Sequence, residues 1–256
     1  MSSASSDGPP TDRATLRQQY KDGSSLDARS SLYEWQEPRH DLVATVVAQL
    51  RPGDGPVVDV GCGRGQYLAG VRAAGFDAVG LDLSGGMRPT LVGDAARLPL
   101  PDDSAGAALA LHMLYHLSDP ADGLRELARI TRPGGTIVVL TNGLDHLQPY
   151  RDLVTKAAGL DDAVTWPGLT FALEHRELVE SILGPVDLVE LHGTVTLDHV
   201  EPLVRYAQSS REFYESQSSL AWADIVARFE ELARARLERD GAIVLPTRSG
   251  LFVRRT

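Results

Sequence analysis

Val57-Val58-Asp59-Val60-Gly61-Cys62-Gly63-Arg64-Gly65-Gln66-Tyr67 joins a β-branched apolar run to an acidic residue and then places a glycine at every second position. The pattern predicts a buried parallel strand that turns sharply into a helix. Glycine has no Cβ, so the turn can adopt strained backbone angles and approach a ligand closely, while the helix that follows presents unpaired N–H groups toward it. The spacing is G-x-G-x-G and not the G-x-G-x-x-G of a dinucleotide fold. Alone it is equally compatible with a tight turn whose glycines serve packing, so the neighbouring sequence has to decide.

Upstream, Leu42, Val43, Val46, Val47 and Leu50 form a one-sided apolar stripe, which predicts a helix over 38–50 that packs on a sheet. Arg51-Pro52-Gly53-Asp54-Gly55 ends it. Downstream the chain reads as a strand over 56–60, a helix over 66–74 and a second strand over 78–82 that ends in Asp82. That carboxylate lies roughly twenty residues beyond the glycine turn, at the tip of the neighbouring strand, where it can accept from both ribose hydroxyls of a nucleoside. A helix after Ser84, a short strand within 91–99 carrying Asp94 at its tip, and a strand over 107–111 follow. His112-Met113-Leu114-Tyr115-His116-Leu117 leaves that strand at its carboxyl end. A helix over 120–130 is stopped by Arg132-Pro133-Gly134-Gly135, expected as a loop, before a fifth strand over 136–140.

This alternation of strands and helices with short connections predicts an open parallel sheet wound on both faces, with its ligand beyond the carboxyl ends of the strands. Asp59, Gly61, Asp82, Asp94 and His112 all fall at that edge. The second half is less regular. A helix over 174–183 and strands over 186–191 and 250–255 are expected, with helical stretches over 199–209 and 219–240 between the strands. The segment 194–248 reads as a cap over the ligand edge, or equally as a packing appendage. Its Tyr206, Phe213, Tyr214 and Trp222 suit either an acceptor pocket or a core. Residues 1–12, rich in Ser, Pro and Gly, are expected to be disordered, and 13–50 to form a helical arm ahead of the sheet within one domain over 13–256.

The chain has 256 residues, 43% of them hydrophobic, and a formal net charge of −10, which argues against a nucleic-acid partner and for a small-molecule substrate. The single cysteine, Cys62, excludes an internal disulfide and a cysteine-based zinc cluster. No run approaches the ~18 apolar residues of a membrane span, and the first ten residues lack the apolar core of a signal peptide. A cytoplasmic protein, monomeric or homodimeric, with no membrane partner is expected.

The pieces Val57 to Gly65, Gly80-Leu81-Asp82-Leu83-Ser84, Gly93-Asp94-Ala95 with Leu98-Pro99, Met113-Leu114-Tyr115-His116-Leu117, and Leu127 to Gly135, taken in order, resemble the class I S-adenosylmethionine-dependent methyltransferases. They are most similar to the small-molecule group that includes enzymes of quinone biosynthesis. The likeness covers about a hundred contiguous residues and is only general beyond Gly143. It implies a Rossmann-like α/β fold with a seven-stranded, doubly wound sheet whose last strand is antiparallel, and S-adenosylmethionine as cofactor with S-adenosylhomocysteine as product. By position it implies that Asp59, Gly61, Gly63 and Gly65 line the methionine half of the cofactor. Asp82 takes the ribose, Leu83 and Met87 lean on the adenine, and Asp94 with the Ala95 backbone reads the adenine edge. Leu111 and His112 then sit near the sulfonium, and Tyr20 and Arg29 on the N-terminal arm close over the ligand, Arg29 against its carboxylate.

Methyl transfer from a sulfonium is an in-line displacement that needs alignment and a nucleophile free of its proton, and requires no metal. A histidine has a suitable pKa to take that proton. His112 and His116 leave the fourth strand where an O, N or C nucleophile must approach, so both are candidate bases. His116 serves equally well as a residue that orders its own loop. Two other readings stay open at this point: a catalytically silent cofactor-binding or assembly protein, and, disfavoured by the glycine spacing, a nicotinamide oxidoreductase.

Overall fold

The glycine turn leaves the central strand of an eight-stranded sheet in the computed structural model, which describes residues 30–160 and 166–255. In chain order the strands are β1 (Gln36–Glu37), β2 (Val57–Val60), β3 (Ala78–Asp82), β4 (Leu91–Val92), β5 (Ala105–Leu111), β6 (Thr131–Asn142), β7 (Asp187–Leu197) and β8 (Ile243–Arg255). The helices are α1 (Leu42–Val47), α2 (Gln66–Ala73), α3 (Pro120–Ile130), α4 (Gln148–Ala157), α5 (Arg176–Leu183), α6 (Glu201–Gln208), α7 (Arg211–Gln217) and α8 (Trp222–Asp240). The strand order is β1-β7-β8-β6-β5-β2-β3-β4. The run β6-β5-β2-β3-β4 is parallel, and β8 pairs antiparallel with both β6 and β7. The order reverses between β2 and β5, the switch point at which such sheets open a crevice at their carboxyl edge.

The expected seven strands become eight because the chain ahead of α1 adds two residues to the outer edge of β7. Every residue of β2 and of β5 is buried, as a strand covered on both faces requires. One face packs Val58, Val60 and Leu81 against Leu124, Leu127 and Ile130 of α3, and the other packs Val57 and Leu109 against Leu68 and Val71 of α2. Each such fully buried aliphatic side chain contributes about 1.5–3 kcal/mol. Helix α3 begins where its sequence says it should: Asp119 accepts from the Ala121 N–H at 2.9 Å and Pro120 opens the first turn.

Several expectations shift. The helix after Ser84 is one 3-10 turn, Gly85–Met87, since two glycines favour no helix and Arg88 turns left-handed at φ 55°. Arg132 to Gly135 belong to β6 as an irregularity in its pairing with β5, not to a separate loop. Gly134 there has φ +80°, and a Cβ on Gly135 would lie 2.6 Å from the Gly106 carbonyl oxygen. The helix expected from residue 174 begins at Arg176 after a 3-10 turn, Leu173–His175.

Strands β7 and β8 run longer than their sequence patterns suggested and pair from Asp187↔Val253 to Leu197↔Ile243. Helices α6, α7 and α8 lie between these strands. With α4 they enclose a second core of Tyr150, Val154, Leu197, Leu203, Phe229 and Leu245. No helix among the described residues is long and apolar enough to cross a membrane. The N-terminal segment expected to be disordered lies outside the described residues.

Candidate active site

The turn after β2 is tied to its neighbour before any ligand is considered. The N–H groups of Gly61 and Cys62 both donate to the Leu81 carbonyl, at 2.7 and 3.0 Å. Gly61 has φ +71°, and a Cβ there would fall 2.8 Å from Met113, so this glycine admits Met113 as well as the turn. Gly63, at φ 51°, donates its N–H to Asp82 Oδ2 at 2.9 Å. Gly65, at φ +78°, is the residue that starts α2. Between them Cys62 is buried, and its thiol is pushed up to about 12 by burial, then by Asp59 and Asp82, which leaves it protonated and unreactive.

Three carboxylates stand at the strand tips above this turn. Asp82 accepts at both oxygens, from Gly63 and, at 2.8 Å, from the Ser84 N–H, which fixes its plane and leaves a further lone pair on each oxygen. Asp94 accepts from the Ala96 N–H at 3.0 Å. Asp59 is 1% exposed, and its Oδ2 has no hydrogen-bond partner. Burial first, and then the charge of Asp82, push its carboxyl up to about 7. A buried carboxylate with an orphaned oxygen calls for a cation. The amino group of S-adenosylmethionine would supply one, the Asp82 lone pairs suit two vicinal hydroxyls, and Leu83 and Met87 line the space beside them. The residues present therefore fit the cofactor that the sequence resemblance implies.

Beyond the carboxylates the same cavity, about 1080 Å³ in volume, continues under α6 and α7. Single-ligand pockets span about 300–1,000 Å³, so this one has room for a cofactor and an acceptor together. His112 stands at the junction, half-buried at the carboxyl end of β5. Its backbone is left-handed, φ 55°, with its N–H held by the Leu140 carbonyl at 2.9 Å, an uncommon conformation for a side chain with a Cβ. Burial pulls its pKa down to about 4, so the ring is neutral at pH 7. His116 lines the cavity as well and packs on Tyr115, ring centroids 4.6 Å apart.

On the far side His146, 6% exposed, pairs its Nε2 with Tyr33 Oη at 2.8 Å, and its Nδ1 meets the backbone of Arg248, 3.0 Å from the carbonyl oxygen and 3.1 Å from the N–H. Burial and then the nearby His112 pull the His146 pKa down to about 3. The walls here are aromatic: Tyr150 meets Tyr206 edge-on at 4.9 Å, and Trp166 lies 5.1 Å from Phe213.

Of the residues singled out from sequence, Asp59, Gly61, Gly63, Asp82, Leu83, Met87, Asp94, Ala95, Leu111, His112 and His116 all border this one cavity. Gly65 does not: it sits behind the wall as the cap of α2, its missing Cβ facing Leu68 at 3.5 Å. Tyr20 and Arg29 lie outside the described residues. Among the aromatics of the suspected cap, Tyr206 and Phe213 face the cavity, whereas Tyr214 and Trp222 are buried in the second core. Sequence reading missed His146, Arg151 and Thr247 as cavity residues. His146 and Arg151 follow an irregular stretch with no periodicity, whose one signal was the run Asn142 to Gln148 at the end of a buried strand, and Thr247 lies in the part of β8 ahead of the expected strand.

A model of the methyltransferase domain matches residues 58–139. A demethylmenaquinone methyltransferase of Mycolicibacterium gilvum is 32% identical over 156 residues, covering 50% of this chain and 68% of that protein. A demethylmenaquinone methyltransferase of Beutenbergia cavernae is 40% identical over 113 residues, or 40% of this chain and 47% of its own length. The chain thus spans about half to two thirds of these curated relatives. Among solved structures, a protein of Anabaena variabilis assigned as a methyltransferase of an antibiotic biosynthesis pathway superposes with a TM-score of 0.55 at 22% identity, covering 82% of this chain and 96% of that one.

Proposed function

The chain belongs to the class I S-adenosylmethionine-dependent methyltransferases and uses that cofactor, and from this premise we propose that it methylates an O, N or C nucleophile of a small molecule. The observation that carries the reading is the continuity of one cavity from the carboxylate-lined strand tips, past His112, into an aromatic chamber. A cofactor-binding protein that never methylates has no need of that second chamber. The relatives' quinone-type acceptors suit aromatic walls, so a biosynthetic acceptor with a flat ring is the class we favour.

S-adenosylmethionine, when bound, supplies a methyl group on a sulfonium that departs as a neutral thioether. Asp59, Asp82 and Asp94 would hold it, Asp59 through the oxygen that has no other partner. The chain's remaining task is to align the nucleophile in line with the methyl group and to receive its proton. His112 is neutral at pH 7 and can accept without first losing a proton. With a pKa of about 4 the free ring is a weak base, so it serves an acceptor whose own proton is acidic or is lost in step with methyl transfer. His116 is the second candidate for the same step. Helices α6 and α7 act as the cap that keeps water from the reacting groups.

The test is to incubate the protein with S-adenosylmethionine labelled in its methyl group and a bacterial metabolite extract, then follow label by mass spectrometry. One labelled small molecule should form for each S-adenosylhomocysteine released. Cofactor bound with no labelled product would leave the silent cofactor-binding reading in its place. His112→Ala should lower turnover by about 10²-fold or more, and turnover within about tenfold for both His112→Ala and His116→Ala would refute histidine base catalysis.

A further inference from the structure

We propose that the aromatic chamber takes an acceptor that carries an acidic group, a carboxylate or a comparably acidic enol, and that Arg151 recognises this anion. The inference rests on the methyltransferase reading above and specifies what the acceptor half of the site selects.

Arg151 stands in the first turn of α4 and borders the cavity. Its Nη1 and Nη2 donate to the backbone carbonyls of His146 and Leu144, which fixes the guanidinium. It is half-buried, and burial draws its pKa below the usual guanidinium range. Its hydrogen-bond acceptors are neutral carbonyls: among the described residues no carboxylate lies within ion-pair distance, and Asp152 and Asp145 act on it only from farther away. Asp145 is taken by Arg248 at 3.4 Å, and Asp152 is exposed. Taking a cation partly out of water with only distant counter-charges is unfavourable, and an arriving carboxylate would offset that cost through charge-assisted hydrogen bonds.

Thr247 also borders the chamber, but its Oγ1 is enclosed against Gly193 of β7, so the guanidinium is the group that meets the occupant's charge. Three carboxylates and Arg64 border the strand-tip half, while the acceptor half offers a guanidinium beside the neutral rings of His112 and His146. Glu212, the acid on the cap side, is exposed at the rim. The whole chain has a net charge of −10, so a general attraction for anions cannot account for such selectivity; it has to be local.

The probes are 3-hydroxy-2-naphthoate and 3-hydroxy-2-naphthamide, which share ring and hydroxyl and differ in charge. Each is titrated into protein saturated with S-adenosylhomocysteine. The naphthoate should bind at least about tenfold more tightly than the amide. Arg151→Met should reduce that ratio to about twofold or less while the affinity for S-adenosylhomocysteine stays the same. Equal affinities in the wild-type protein, no measurable binding of the naphthoate, or a preference that survives Arg151→Met would each overturn the proposal. Should Arg151→Met fail to fold, a crystal of the wild-type complex decides: a carboxylate within hydrogen-bond distance of the guanidinium supports it, and one placed elsewhere refutes it. Failure of S-adenosylhomocysteine itself to bind would instead refute the underlying methyltransferase reading.

Discussion

The half of the cavity that we assign to the cofactor is assembled from residues 59–95, a run in which each lining group sits at the carboxyl end of a strand or within seven residues of it. The acceptor half draws Tyr33 from ahead of the sheet, His146 from 113 residues later, Trp166 from beyond α4, Phe213 from α7 and Thr247 from β8. In the first, backbone N–H groups hold the side chains: Gly63 and Ser84 on Asp82, Ala96 on Asp94. In the second, side chains hold one another across long separations, as Tyr33 does with His146. A half built from local backbone can keep its shape while the other half changes with a new acceptor, which is how one fold serves many substrates.

If this division is real, substitutions should separate along it. The largest effect is expected from Asp82→Ala, which removes the partner of two backbone N–H groups and the carboxylate that we assign to the ribose. The affinity for S-adenosylhomocysteine, measured by calorimetry, should drop by about 100-fold. His146→Ala and Tyr33→Phe should act on the other side, lowering acceptor turnover by about 10–30-fold with cofactor affinity kept within about twofold. A parallel loss of cofactor affinity in those variants would show that the halves are not independent.

The effect of pH should be smaller and confined to the cofactor side. With a pKa of about 7, Asp59 is protonated below neutrality in the ligand-free protein, yet must be ionised to meet an amino group. Cofactor affinity should therefore weaken by up to about tenfold per unit as pH falls below 7. The dependence should vanish in Asp59→Asn.

The smallest effect is on stability, where the halves differ in sign. The raised Asp59 pKa gives a contribution that is complete at pH values below about 4 and lost as pH rises through 7. The depressed His112 and His146 pKa values give one that is present above 6.5 and lost as pH falls toward 4 and 3. Asp59→Asn should accordingly melt about 2–4 °C higher than the wild type at pH 8, by less at pH 5, and no higher below pH 4.

The same contrast explains what the amino-acid sequence disclosed. The β2 turn, Asp82 and Asp94 were legible because a buried strand, a glycine turn and a strand-tip acid are short-range patterns whose spatial relation the parallel sheet then dictates. Helix α3 was legible to the residue over 120–130, although the Arg132-Pro133-Gly134-Gly135 run expected to stop it as a loop belongs to β6. His146 and Arg151 were not, because their place depends on how β6 hands the chain to α4 through an irregular turn in which Leu147 adopts φ 53°. Thr247 was hidden because β8 begins seven residues earlier than its apolar pattern. Gly65, assigned to the ligand by family likeness, is the N-cap of α2 and does not border the cavity, whereas Gly61 and Gly63 do.

The most direct test is a crystal structure of the protein with S-adenosylhomocysteine. The account predicts the ribose hydroxyls on the Asp82 carboxylate and the amino group against Asp59 Oδ2, with the aromatic chamber left open. A nucleoside lodged between Tyr206 and Phe213, or an Asp82 carboxylate that touches no hydroxyl of the ligand, would contradict it.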